Sequence, residues 1–313
     1  MAALASVSLA ETAPYPASDS SDGFYYAEAY SGGYGRGSSS ITESAESKSL
    51  FPTQSYFELL GPMDSRNNHG SVDMQTWMTD MNLCRYSSGA WGVSATAALR
   101  LTWFNGRGAD VLDVDRLYTV WLSMNAFYTI KGKTRLVFGV APQISTDFDT
   151  WTHNNLFFGG HVLLAGPLND RFSYGLGIGY YPQMGASPLL PLFQFKWDVS
   201  DRWCLQLEGS RLSYNNKVGS GFTWGPFVSV VSGTWTIHRD RRVRQFQWVS
   251  GVAGVGANVG LGRWGSVRPR LLTDVGFSFG NSGTIKTGDG NHELEKYHYD
   301  PGFYLRAGLQ FEF

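Results

Sequence analysis

Along most of this chain, apolar and polar residues alternate one by one. In the last stretch Phe303, Leu305, Ala307, Leu309, Phe311 and Phe313 fall on one face of an extended strand. Tyr304, Arg306, Gly308, Gln310 and Glu312 fall on the other. Successive strand side chains point to opposite faces, so this stretch has one apolar and one mixed polar face. The segment 91–104 repeats the pattern, with Trp91, Val93, Ala95, Ala97, Leu99, Leu101 and Trp103 opposite Gly92, Ser94, Thr96, Ala98, Arg100 and Thr102. In 172–181, Phe172, Tyr174, Leu176, Ile178 and Tyr180 oppose Ser173, Gly175, Gly177 and Gly179. A period of two does not fit a helix.

The same reading predicts strands over 72–84, 117–130, 134–141, 156–165, 189–197, 203–209, 222–237, 248–261 and 267–279. The expected fold is all-β: a single antiparallel transmembrane barrel of about twelve strands. From Trp91 to Trp103 is about 40 Å at about 3.3 Å per residue, or about 30 Å after a tilt of about 40°. That matches a hydrocarbon core, and a soluble sandwich strand is usually half as long. Loops at 105–115, 143–155, 182–188, 211–221 and 281–300 alternate with short turns, one kind per rim. Between 222 and 280 this order slips by one strand. A break at Ser232-Gly233-Thr234 repairs it, and the amphipathic piece Gln54–Leu60 makes the number even, with fourteen strands as the alternative.

A chain closing on such a strand, with an aromatic last residue, resembles bacterial outer-membrane β-barrel proteins. Residues 172–181, 188–210 and 301–313 are similar to porin-like families of uncharacterised role. The resemblance implies a bacterial outer-membrane location, contact with outer-membrane lipid and insertion by the barrel-assembly machinery. It implies no activity. Trp91, Trp103, Trp197, Trp203, Phe311 and Phe313 are then the expected interfacial aromatics.

Composition changes this picture little. The chain has 313 residues, 15% aromatic and 16% charged, with 38 glycines, which suits strands and turns. No apolar run is long enough for a membrane helix, and a spanning strand needs only about ten residues. The net charge of -1 shows no basic pattern that suggests nucleic acid. Cys84 and Cys204 read as isolated small apolar side chains. Residues 1–10 read as the remnant of a secretory signal, with a small-x-small site at Ser8-Leu9-Ala10 but no basic start, so the true start lies upstream or the chain is trimmed. Residues 11–70 read as a flexible, disordered periplasmic tail or a plug, and 71–313 as the barrel.

Candidate chemistry is sparse. Gly254-Val-Gly-Ala-Asn-Val-Gly260 has the wrong spacing for a dinucleotide fingerprint, so lumen glycines making room for bulky neighbours are expected. His69 and Ser71 have the His-x-Ser spacing of some outer-membrane lipid hydrolases, in a stretch that reads as a turn. His161 is expected to be a hydrogen-bonded interior histidine. No catalytic residue, metal site or cofactor is expected. The basic cluster His238–Arg244 reads as a solvated loop or, functionally, a clamp on lipid phosphates. Strand parity sends Arg100, Arg135, Lys196, Glu208, Arg268, Arg270, Asp274, Arg306 and Glu312 inward. On a lipid face each cation costs a few kcal/mol near the midplane, so these positions line a wet or internally paired lumen. The expected function is a passive, porin-like channel and not an enzyme. The alternatives are a structural or adhesion barrel binding ligands through loops 143–155 and 281–300, a lipid hydrolase, or a soluble secreted sandwich. Solute and oligomeric state are left open.

Overall fold

The computed structural model describes residues 52–312 apart from 67–69, 108–114, 132, 150–151, 182–188, 220, 240 and 266. The strands are β1 (Pro52–Asp64), β2 (Ser71–Ser88), β3 (Trp91–Arg107), β4 (Arg116–Lys131) and β5 (Thr134–Thr146). A short 3-10 turn (His153–Asn155) leads into β6 (Leu156–Asn169), β7 (Phe172–Tyr180), β8 (Leu189–Asp198), β9 (Trp203–Glu208) and β10 (Arg211–Val218). The set ends with β11 (Phe222–Arg239), β12 (Arg242–Gly260), β13 (Arg268–Thr287), β14 (Glu293–Tyr299) and β15 (Phe303–Glu312). From β1 to β14 each strand pairs antiparallel with the next, and β15 pairs antiparallel with β13 and returns to β1 through Gln54 opposite Gln310. β14 and β15 follow one another along the same flank of β13, so fifteen described strands fill fourteen wall positions of a closed barrel. An even number puts the start of β1 and the end of β15 on one rim, here called the terminal rim.

Fourteen, not twelve, is therefore the strand number. This is the alternative number: of the two additional strands, β1 contains the amphipathic piece Gln54–Leu60 that the alternative adds, and β10 lies where a 211–221 loop is expected. The barrel thus begins at Pro52 rather than 71. β1 was hard to see because it buries Tyr56, Leu60 and Met63 on its inner side, which blurs the alternation. β10 carries Asn215-Asn216 where apolar alternation should be clearest. β10 also repairs the loop order, and β11 runs unbroken through Ser232-Gly233-Thr234 with β12 as its partner throughout. The expected 281–300 loop is mostly strand, divided between β13 and β14. The signal remnant and residues 11–51 lie outside the described residues.

The outer wall is apolar. Phe158, Leu189, Trp91 and Ile178 are 60, 62, 59 and 56% exposed, whereas their inward neighbours Phe157, Leu192 and Thr96 are buried. Above this belt the polarity of three adjacent strands inverts. In β12 the inner face changes from Asn258, Gly256 and Gly254 to Trp248 and Phe246, and the outer face from Val255 and Ala253 to Gln247 and Gln245. β11 goes from inner Thr223 and Gly225 to Trp235 and Ile237, and β13 from Arg270 and Asp274 to Ile285.

A line of irregularities accompanies the inversion. The register shifts between Leu60 and Met63 in β1 and between Val249 and Gly251 in β12. β13 places Gly280 at φ +61°, a left-handed conformation that glycine adopts without a Cβ penalty, and Asp300-Pro301-Gly302 separates β14 from β15. Bulges bend the strand that carries them. The bend is held by side chains: Asn281 donates to the Asp300 carbonyl at 2.8 Å and to Ser278 Oγ at 3.1 Å, and Ser278 Oγ also accepts from the Gly302 amide at 3.1 Å.

Beyond the bend, the sheet folds across the opening. Thr236 of β11 forms a parallel bridge with Thr146 of β5, on the far side of the lumen. Thr236 Oγ1 donates to the Asn154 carbonyl at 2.6 Å, and the His238 amide donates to the Asp147 carboxylate at 2.6 Å. Beneath this strap Phe104 of β3 meets the rings of Phe246, Trp248 and Trp235 edge-on at 5.2, 5.8 and 6.2 Å. With Leu60, Met63, Leu117 and Tyr299 these residues form the main apolar core. The core is thus a cap at one end of the barrel.

Candidate functional site

Below the cap, the lumen is crossed by a girder of charge. Asp274 of β13 accepts two hydrogen bonds from Arg211 of β10, at 2.8 and 3.0 Å, and faces Arg306 of β15 at 2.5 Å. Arg211 reaches past two intervening strands, and the Phe227 ring supports its guanidinium at 3.8 Å. Gly256 clears the route: a Cβ there would sit 2.3 Å from Asp274 Oδ1 and 2.8 Å from Arg211 Nη2. Arg306 lies over the Tyr56 ring at 5.3 Å, and Tyr304 donates to Glu58 at 3.1 Å. Arg100 donates to the Ser232 carbonyl at 2.9 Å and lies 5.4 Å from the centre of the Trp235 ring, joining the girder to the cap. A buried cation or carboxylate persists only when paired, so these groups hold one another in place.

The girder brings together three of the predicted lumen residues, Arg100, Asp274 and Arg306, all buried. Arg135, Lys196 and Arg270 also face inward but are partly exposed, nearer the terminal rim, and Glu208, also partly exposed, ends β9 opposite Arg211 at the level of the girder. Arg268 is exposed on that rim, and the side chain of Glu312 is outside the described set. The sequence reading missed Arg211, Glu58 and Tyr304. Arg211 was hidden by the loop assignment, although Arg211, Ser213, Asn215 and Lys217 alternate with Leu212, Tyr214 and Val218.

Other expectations find their places. Trp91 meets Tyr128 with tilted rings at 4.6 Å and Trp203 stacks on Tyr214 at 4.6 Å, both tryptophans at the terminal-rim ends of their strands, as are Trp197 and Phe311. Trp103 is half-buried near the other rim, and Phe313 is outside the described residues. His161 points inward and is buried, with Nδ1 3.3 Å from the Tyr181 hydroxyl. Lumen glycines do make room for bulky neighbours: Tyr181 covers Gly179, His161 covers Gly139 and Phe127 covers Gly92. Cys84 and Cys204 are both free thiols. His69 lies outside the described residues, and Ser71 opens β2 opposite Asp64 and Arg107. The basic cluster forms the β11–β12 turn at the tip of the strap, above the lumen, where Arg239 pairs with Glu295 at 2.9 Å.

No curated protein matches the sequence. Among solved structures, a mutant of the TodX monoaromatic hydrocarbon channel is similar over 82% of this chain and 88% of its own, at 8% identity and a TM-score of 0.34. A mutant of the Rh. blastica porin is similar over 84% of this chain and 100% of its own, at 7% identity and a TM-score of 0.24. A family model, described as a domain of unknown function (DUF6268), matches residues 49–312, and the chain belongs to that family.

Proposed function

We propose that this protein is an integral barrel of the bacterial outer membrane that acts as a passive channel, with the cap closed in the conformation described. The observation that carries the reading is the division of the lumen along its axis. Towards the terminal rim Ser94, Asn125, Lys196, Gln206, Asn215 and Asn258 face inward and keep part of their surface exposed. Across the cap Leu60, Met63, Leu117 and Trp235 have none. A wet polar vestibule ending against a dry barrier is the arrangement of a conduit that must open. Among the described residues Trp235 Nε1, Trp248 Nε1 and the Tyr299 hydroxyl are buried without a hydrogen-bond partner. Each such group costs about 1–3 kcal/mol, which lowers the cost of leaving the closed form.

Planar-bilayer recording tests the reading. Purified protein should give rare or small openings, and Trp235→Ala with Trp248→Ala should conduct steadily. Silence from both, in barrels that still resist detergent unfolding until heated, would rule the channel out. The strap that seals the mouth favours one second reading, a permanently closed barrel that presents its capped end to outside ligands. That reading predicts silence from both proteins.

A further inference from the structure

The vestibule has a sign, and the sign is concentrated at its mouth. Five cations occupy the terminal-rim ends of five strands: Arg85 in β2, Arg135 in β5, Lys196 in β8, Lys217 in β10 and Arg270 in β13. Each stands opposite an inward-facing neighbour in the strand ladder: Ser94, Ala165, Gln206, Thr223 and Gln310 respectively. All five are partly exposed, so they reach the wet part of the lumen. At this level Asp198 is the one inward carboxylate whose side chain is described, and Lys217 holds it at 2.9 Å. The exposed turns add Lys133, Arg171 and Arg202 against Asp170 and Asp201, keeping the same sign.

Two of the five are visibly held towards the lumen. Arg135 lies 5.3 Å from the centre of the Phe127 ring, and Arg270 Nε donates to Asn258 Oδ1 at 2.8 Å. Beside Lys196 a cavity of about 220 Å³ is lined by Lys133 and Arg171, by the carboxylates Asp170 and Asp198, and by Asn169 and Ser173. Like charges gathered in a low-dielectric ring focus the field on the axis and concentrate counter-ions there. Guanidinium groups match carboxylate and phosphate oxygens in pairs.

We propose that the terminal-rim mouth is an anion-binding ring, and that the solutes of this barrel are small organic anions carrying carboxylate, phosphate or sulfate groups. The proposal deepens the channel reading and rests on it for the word solute, but the ring itself can be tested without conduction. Citrate is the probe. Isothermal titration of the full chain in neutral detergent should show saturable citrate binding at low salt, weakened about tenfold at physiological salt because the ring charges are screened. Arg135→Gln with Lys196→Gln should weaken it at least about tenfold, while heat-modifiable gel migration stays that of a folded barrel.

In bilayers, the barrel with Trp235→Ala and Trp248→Ala should prefer chloride to potassium, and adding Arg135→Gln with Lys196→Gln should bring the ratio towards one. Absent citrate binding, binding unaffected by the double substitution, or a preference for potassium would each overturn the ring. Citrate binding with a silent bilayer would uphold the ring and sink the channel. Residues 11–50 carry six acidic and two basic side chains and lead into β1 on this rim. Binding that emerges only when they are deleted would assign the ring to the chain's own acidic segment and overturn its use by solutes.

Discussion

The two ends of the lumen are made from the same strands and solve opposite problems. At the terminal rim β11, β12 and β13 put Thr223, Asn258 and Arg270 inside; at the other end they put Trp235, Trp248 and Ile285 inside. The first end stays partly open to water, and the second excludes it. The girder of Arg211, Asp274 and Arg306 lies between them. Wall geometry alone therefore does not decide whether such a barrel is open. Which face carries the apolar residues, level by level, decides it.

The sharpest way to break the contrast is at the girder. Asp274→Ala leaves Arg211 and Arg306 buried without their carboxylate and should cost about 3–5 kcal/mol. Lys196→Gln in the vestibule should stay within about 0.5 kcal/mol. Urea-dependent folding into lipid vesicles measures both, and equal losses would deny that the two zones differ. In the cap, Phe104→Ala removes the ring that meets three others and should cost about 3 kcal/mol, with faster hydrogen exchange confined to the capped end. Gly256→Val comes next: its side chain displaces the Arg211–Asp274 contact, for a loss of about 1–3 kcal/mol, whereas Gly219→Ala on the terminal-rim turn meets no neighbouring atom and pays only for its φ of +66°.

The smallest effect lies on the β13–β14 turn. Thr287 Oγ1 and Asn291 donate to the Asp289 carboxylate and hold its pKa down to about 2. A depressed value means that the turn gains stability above the ordinary carboxylate range and loses it as the pH falls through about 2. Hydrogen exchange at the Asn291 amide should quicken over that window, and faster exchange in the cap core over the same window would contradict a local effect.

Much of the wall was legible, because long strands with glycine or serine opposite leucine or tryptophan leave a strong period-two trace. β7 is the clearest case, with Ser173, Gly175, Gly177 and Gly179 inside. The trace failed where the inner face is also apolar, as at Tyr56 and Leu60 in β1, and where the outer face turns polar, as at Asn216 in β10. The cap carries a signal of its own. Gln245, Phe246, Gln247 and Trp248 still alternate, but with their apolar members on the face that carries Gly254 and Gly256 further along β12. An unbroken period with inverted polarity marks a strand whose apolar face has turned from the outside of the barrel to cover its interior. The girder was only half readable. Parity placed Arg100, Asp274 and Arg306 inside, but no local pattern announces that Arg211 spans two strands to reach Asp274.

The bend shared by β1, β12, β13 and the β14–β15 junction has a mechanical consequence. Beyond it, β11 remains laddered to β12 up to the turn, and β12 to β13 as far as Thr287. No strand of the leaf can straighten alone without shearing its neighbour's hydrogen bonds. Any parting of Thr236 from Thr146 must swing the leaf as one rigid panel on a crease of Ser278, Asn281 and Gly302, a door cut from its own wall.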